Sequence, residues 1–75
     1  MPMTRNDYKA LADELISLAE YELEGERLDQ INAIYSLVSS FCGRYVNFNY
    51  KTFNKYLIDN SSQELSKYLK NNVIC

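Results

Sequence analysis

Thr4-Arg5-Asn6-Asp7-Tyr8-Lys9-Ala10-Leu11-Ala12-Asp13-Glu14-Leu15-Ile16-Ser17-Leu18-Ala19-Glu20-Tyr21-Glu22-Leu23-Glu24-Gly25 is the stretch that decides the fold. Thr4 and Asp7 have the Thr-x-x-Asp spacing of a capping box. Asp7 in the first turn also suits the helix macrodipole. Tyr8, Leu11, Ala12, Leu15, Ile16, Leu18, Ala19 and Leu23 recur three and four apart and fill an arc of roughly 160°. That is wide for a surface helix, so it predicts packing against two neighbours. Gly25 stands where the helix needs a residue of positive φ to stop. Glu22 falls inside the arc near its end, which places it at the rim of the core, reaching water, because an unpaired buried charge is costly.

A second helix follows over about residues 26–42. Leu28, Ile31, Tyr35, Val38 and Cys42 alternate three and four apart, Ile34 and Phe41 widen the stripe, and Gly43 stops it. The short connection around Gly25 predicts an antiparallel hairpin, with Leu11, Leu15 and Leu18 against Ile31, Ile34 and Val38; a single long helix kinked at Gly25 is the alternative. Arg44-Tyr45-Val46-Asn47 reads as a connector. Asn49 is then a good N-cap, and Phe48 and Phe53 have the spacing of a hydrophobic staple. A third helix over about residues 50–59 buries Phe53, Tyr56 and Leu57. Ser61-Ser62-Gln63-Glu64 matches a full Ser-x-x-Glu capping box. It opens a fourth helix to about Asn71 that buries Leu65, Tyr68 and Leu69, with Val73 and Ile74 either joining the core or trailing. No stretch alternates as a strand does. The fold class expected is all-α: one domain over 1–75, a small bundle of three to four short helices.

Composition narrows the chemistry. The chain has 75 residues, no His, no Trp, two Cys and a net charge of −2. Without His, a zinc site lacks a ligand set and the Ser-His and Cys-His nucleophile pairs are absent. No metal site, cofactor or catalytic set is expected, and a unit this small is expected to lack a cleft of a few hundred Å³, roughly the usual size. The reading is therefore not an enzyme. No apolar run approaches the length of a membrane span, and no secretory signal pattern precedes the first helix. Cys42 lies on an apolar helix face and Cys75 stands last, which reads as two reduced thiols in a cytoplasmic protein, with a disulfide between them as the alternative.

Charge is divided along the chain. Residues 1–30 hold eight acids and three bases, net −5, and residues 31–75 hold two acids and five bases, net +3. On the first helix Asp13, Glu20 and Glu24 form an acidic ridge expected to lie opposite the apolar arc, so reversing Glu20 and Glu24 is expected to leave the fold intact. The ridge reads either as a solvated face or as a surface that meets a basic groove or mimics nucleic-acid phosphates. Arg44, Tyr45, Asn47, Asn49, Tyr50, Lys51, Asn54 and Lys55 interleave bases with aromatic rings, which reads as a capped helix with a few solvated lysines, or as a pattern that tracks a phosphate backbone or anchors a protein interface. Among the seven tyrosines, Tyr8, Tyr35, Tyr56 and Tyr68 fall on apolar faces. Tyr21, Tyr45 and Tyr50 are left as interface anchors.

Met3-Thr4-Arg5-Asn6-Asp7-Tyr8 resembles the opening of small uncharacterised phage-encoded proteins that begin Met-Thr-Arg-Lys-Asp-Tyr. Phe48 and Phe53 repeat the Phe-to-Phe spacing of a downstream Phe-Asp-x-x-x-Phe segment in those proteins, with Asn49 in the Asp position. Asn6 departs from their Lys, and residues after Asn60 fall outside the likeness. The resemblance implies a phage accessory protein that inhibits a host or anti-phage defence complex, such as a CRISPR effector, by stoichiometric protein binding. Its partner-binding residues are expected among Asp13, Glu20, Tyr21, Glu24, Arg44, Tyr45, Tyr50, Lys51 and Lys55. The alternative reading is a small helical nucleic-acid-binding or transcription-regulating module. A third is a homo-oligomer whose wide first helix completes its core on a second copy.

Overall fold

The computed structural model describes residues 4–74. Met3 of the opening motif and Cys75, with its disulfide alternative, lie outside them. Four helices follow in order: α1 (Arg5–Glu24), α2 (Leu28–Cys42), α3 (Tyr50–Asn60) and α4 (Gln63–Asn72), with no strand among the described residues. α1 and α2 form the expected hairpin, and α1 also packs against α3 and α4. The wide apolar arc of α1 is thus explained, because one helix serves three neighbours. The core is Ala12, Leu15 and Ala19 from α1, Ile31 and Cys42 from α2, Phe53 and Leu57 from α3, and Leu65 and Leu69 from α4. Val73 and Ile74 pack against it. No helix of the described residues is long and apolar enough to cross a membrane.

The first cap forms as the spacing predicts. The Asp7 amide donates to Thr4 Oγ1 at 3.2 Å, and the Thr4 amide donates to Asp7 Oδ2 at 2.9 Å. The stop of α1 differs by one residue. Gly25 has φ −85°, and the positive φ, 60°, belongs to Glu26. The amides of Glu26 and Arg27 donate to the carbonyls of Leu23 and Glu22 at 3.0 and 2.9 Å, the pair of bonds that defines a Schellman stop. Gly25 leaves room instead: the Arg27 guanidinium, the far end of a flexible side chain, passes where its Cβ would stand. From there Arg27 pairs with Glu22 and lies 5.1 Å over the Tyr21 ring. Glu22 sits at the core rim, as expected, and the bond to its carboxylate holds the Arg27 guanidinium above its ordinary pKa. Helix α2 consequently begins at Leu28, two residues late, with no side-chain cap.

A left-handed residue other than glycine carries a strain of roughly 1–2 kcal/mol, part of which glycine returns through its freer unfolded chain. Glu26→Gly is therefore expected to stabilise the protein by about 0.5–1 kcal/mol. Urea unfolding of the two proteins checks this; a midpoint unchanged or lowered rejects it.

The second half is capped at Asn49, whose Oδ1 accepts from the Thr52 amide at 3.1 Å. Phe48 closes the staple on Phe53, their centroids 5.2 Å apart. Asn49→Ala is expected to cost about 0.5–2 kcal/mol, read as a lowered melting temperature with helical signal retained at low temperature. A melt superimposable on wild type counts against the cap.

At α4 the expected capping box is corrected. The N-cap is Ser62, not Ser61, and it accepts from the Leu65 amide at 3.2 Å. Ser61 Oγ instead donates back to the Leu57 carbonyl at the end of α3. The register slips because α3 runs through Asn60, one residue beyond its expected end, which leaves Ser61 to close α3 and Ser62 to open α4.

Candidate functional site

The acidic ridge does not lie opposite the core stripe. Asp13 and Glu20 border the seam where α1 meets α3 and α4. Tyr56 donates its hydroxyl to Asp13 Oδ1 at 2.8 Å. Ser62 donates its amide to Glu20 Oε2 at 3.1 Å and its hydroxyl to Glu20 Oε1 at 2.7 Å. In a capping box the acid three residues into the helix takes the N-cap amide; here an acid from another helix does so. Two ridge carboxylates thus serve the fold, and Glu24 alone of the three stays exposed with no side-chain bond among the described residues. The expectation that Glu20 lies on a solvated face is corrected by these bonds.

Tyrosine hydroxyls do similar work elsewhere. Tyr8 donates to Asn47 Oδ1 and Tyr35 to Asn54 Oδ1, each at 2.7 Å. Tyr50 reaches the Ser39 carbonyl at 3.4 Å and Tyr68 the Leu28 carbonyl at 3.3 Å. With Tyr56, five phenols tie helices or connectors distant in sequence. The Tyr56 phenol is pushed above its ordinary pKa, first by its bond to Asp13, and the Tyr35 phenol is pushed up by burial. Tyr50, expected as an anchor for a partner, is half exposed but packs edge-on against Phe48 at 4.6 Å.

These ties also orient α2. Its Leu28, Tyr35 and Ser39 side faces α3 and α4, so the Ile34, Leu37 and Phe41 side faces away from them. On α1 the Asp13 and Glu20 flank faces α3 and α4, so the Leu11 and Leu18 flank faces away. The hairpin seam is therefore covered on one side and bare on the other. Leu18 is 50% exposed, Leu37 73% and Phe41 46%, with Leu11 and Ile34 half-buried beneath them. Leu18 was expected within the core; it lies at the edge of the arc that no third helix covers. Tyr21, one helical step beyond Leu18, is 64% exposed. Tyr45 packs against Phe41, centroids 5.9 Å apart. Leu37 was not among the sequence candidates, yet Ile34, Leu37 and Phe41 have the 3/4 spacing of a second stripe beside the first.

Arg44, Lys51 and Lys55 are exposed, the two lysines on α3 away from its buried Phe53 and Leu57. Arg44, whose amide donates to the Phe41 carbonyl at 3.3 Å, stands at the end of the bare strip, and no contact among the described residues brings the two lysines there.

A cleft is also present, against expectation. About 730 Å³ of space opens between the first turns of α1 and α3, lined by Arg5, Tyr8, Lys9, Phe48, Phe53 and Tyr56 among others. Among the described residues no group of three or more His, Cys, Asp or Glu is placed to hold a metal ion. Cys42 is buried and reduced, and burial pushes its thiol up, away from the thiolate a nucleophile needs. No family model matches this chain, no curated protein matches it, and no solved structure matches its fold.

Proposed function

We propose that this protein acts by stoichiometric binding to a larger protein, and that it docks through the bare side of the α1–α2 hairpin. The observation that supports this is the exposure of Leu18 on α1 and of Leu37 and Phe41 on α2, on the flanks turned from α3 and α4, with Tyr45 packed on Phe41. Large exposed side chains grouped in this way mark binding surfaces, and aromatic anchors dominate interface energetics. The strip carries acids at its α1 edge, where Glu14 lies between Leu11 and Leu18 in the helical rows, within a segment of net −5. The partner is accordingly a protein with an apolar patch ringed by Lys and Arg, which the acids steer and the strip then holds. With the resemblance to phage proteins, the reading becomes inhibition of a host or defence complex, such as a CRISPR effector, in the host cell cytoplasm.

Leu37→Glu tests this, since a side chain so exposed tolerates the change without loss of fold. The wild-type chain is used to isolate a complex from defence-carrying cells, and the captured protein is then purified and titrated. The variant is expected to bind at least about thirtyfold more weakly at an unchanged melting temperature, while Lys51→Glu with Lys55→Glu binds as wild type. Equal affinity for the Leu37 variant rejects the surface. A wild-type dimer that Leu37→Glu dissociates assigns the strip to a second copy instead. Retarded nucleic acid, abolished by the lysine reversals, assigns the protein to the nucleic-acid-binding alternative.

A further inference from the structure

We infer that the cleft between α1 and α3 is a second, separate site that binds a small aromatic phosphate, of the size of a mononucleotide. The acid-rich first 30 residues contain only three bases, Arg5, Lys9 and Arg27. Arg27 is paired with Glu22. The other two form no ion pair among the described residues, and both line this cleft. They stand four apart on α1, one turn of helix, so their charged ends share one rim. Arg5 and Lys9 on this rim, in a segment of net −5, are the complement of a single compact anion, while the Asp13 carboxylate one turn beyond Lys9 is engaged by the Tyr56 hydroxyl.

The floor gives the rest of the ligand its character. Phe48 lines it, with Tyr8 at 5.2 Å in a tilted contact and Phe53, only 4% exposed, packed edge-on beneath at 5.2 Å. Tyr56 completes the lining. The Tyr8 and Tyr56 hydroxyls are already turned to Asn47 and Asp13, so both rings are fixed with their polar ends satisfied. A flat apolar body lies on such a floor at little ordering cost. The volume of about 730 Å³ is ample for one mononucleotide and falls in the ordinary range for small-molecule sites. None of these residues belongs to the bare strip of the α1–α2 hairpin, so the two surfaces are independent.

The test uses the intact chain and adenosine 5′-monophosphate as the probe, with adenosine and inorganic phosphate as comparisons. Binding is followed by backbone and aromatic chemical shifts. The nucleotide is expected to shift Lys9, Tyr8 and Phe48 saturably below about 10 mM, a range fitting one small exposed site. Adenosine and phosphate alone are each expected to bind at least about tenfold more weakly, since each keeps only half of the contacts. Arg5→Gln with Lys9→Gln, both exposed, is expected to weaken the nucleotide about tenfold at an unchanged melting temperature. The inference is overturned if the nucleotide shifts none of these residues, or binds the double variant as it binds wild type. It is also overturned if phosphate alone matches the nucleotide, for then the ring floor has no part in binding.

Discussion

Leu15→Ala is expected to destabilise the protein by about 2–5 kcal/mol, the range for a leucine removed from a closed core. Leu15 is 1% exposed and lies in the stripe α1 shares with its neighbours. Stability scales with length at roughly 0.05–0.15 kcal/mol per residue, so 75 residues hold only about 4–11 kcal/mol. The substitution removes a large part of that reserve and should leave a substantial unfolded population on moderate warming. Leu18→Ala, on the same helix but half exposed, is the control and should cost less than about 1 kcal/mol. Thermal and urea unfolding of both variants separates the two sites. Equal losses would mean that the bare side of the hairpin is not bare.

Glu20→Lys is expected to cost about 1.5–3 kcal/mol, because hydrogen bonds to a charged group are the stronger kind and a serine cap is itself worth about 1 kcal/mol. The change removes both acceptors from Ser62 and brings a cation to the positive end of α4. Glu24→Lys, one helical turn further on and exposed, should change stability by less than about 0.5 kcal/mol. Glu20→Gln should fall between, since its amide oxygen still accepts one bond without charge. If Glu20→Lys and Glu24→Lys unfold at the same urea concentration, the carboxylate of residue 20 does not hold α4.

That contrast shows what was legible in the residues and what was not. Caps set by neighbours in sequence read well: Thr4 with Asp7, and Asn49 with Phe48 and Phe53. Their partners lie within five positions, and the physics is local. The wide arc of α1 also read well, because burial on several sides leaves a periodic trace. The acidic ridge misled because period alone measures an angle from the core stripe; it does not say which neighbour stands beside that angle. Asp13 and Glu20 look like Glu24 on a helical wheel, and only the placement of α3 and α4 distinguishes them. The Ser61 and Ser62 shift has the same origin, since two adjacent serines offer two registers and the end of α3 chooses between them. Leu37 was overlooked because a second stripe merges with the first on a helix this apolar. Arg5 and Lys9 were not among the sequence candidates, because nothing local to them shows that α3 stands opposite.

That α1 is shared by three neighbours has a consequence for how the chain is made. Synthesis runs from the amino end, so the shared helix emerges before every partner it serves. When α2 follows, the hairpin can zip, yet Ala12 and Ala19 still present their covering surface to nothing until Phe53, Leu57, Leu65 and Leu69 leave the ribosome. The nascent hairpin is therefore apolar on both sides, where the finished protein is apolar on one. For the time taken to add about thirty residues, a second or several at ordinary translation rates, it is a different and stickier molecule than the one that is released.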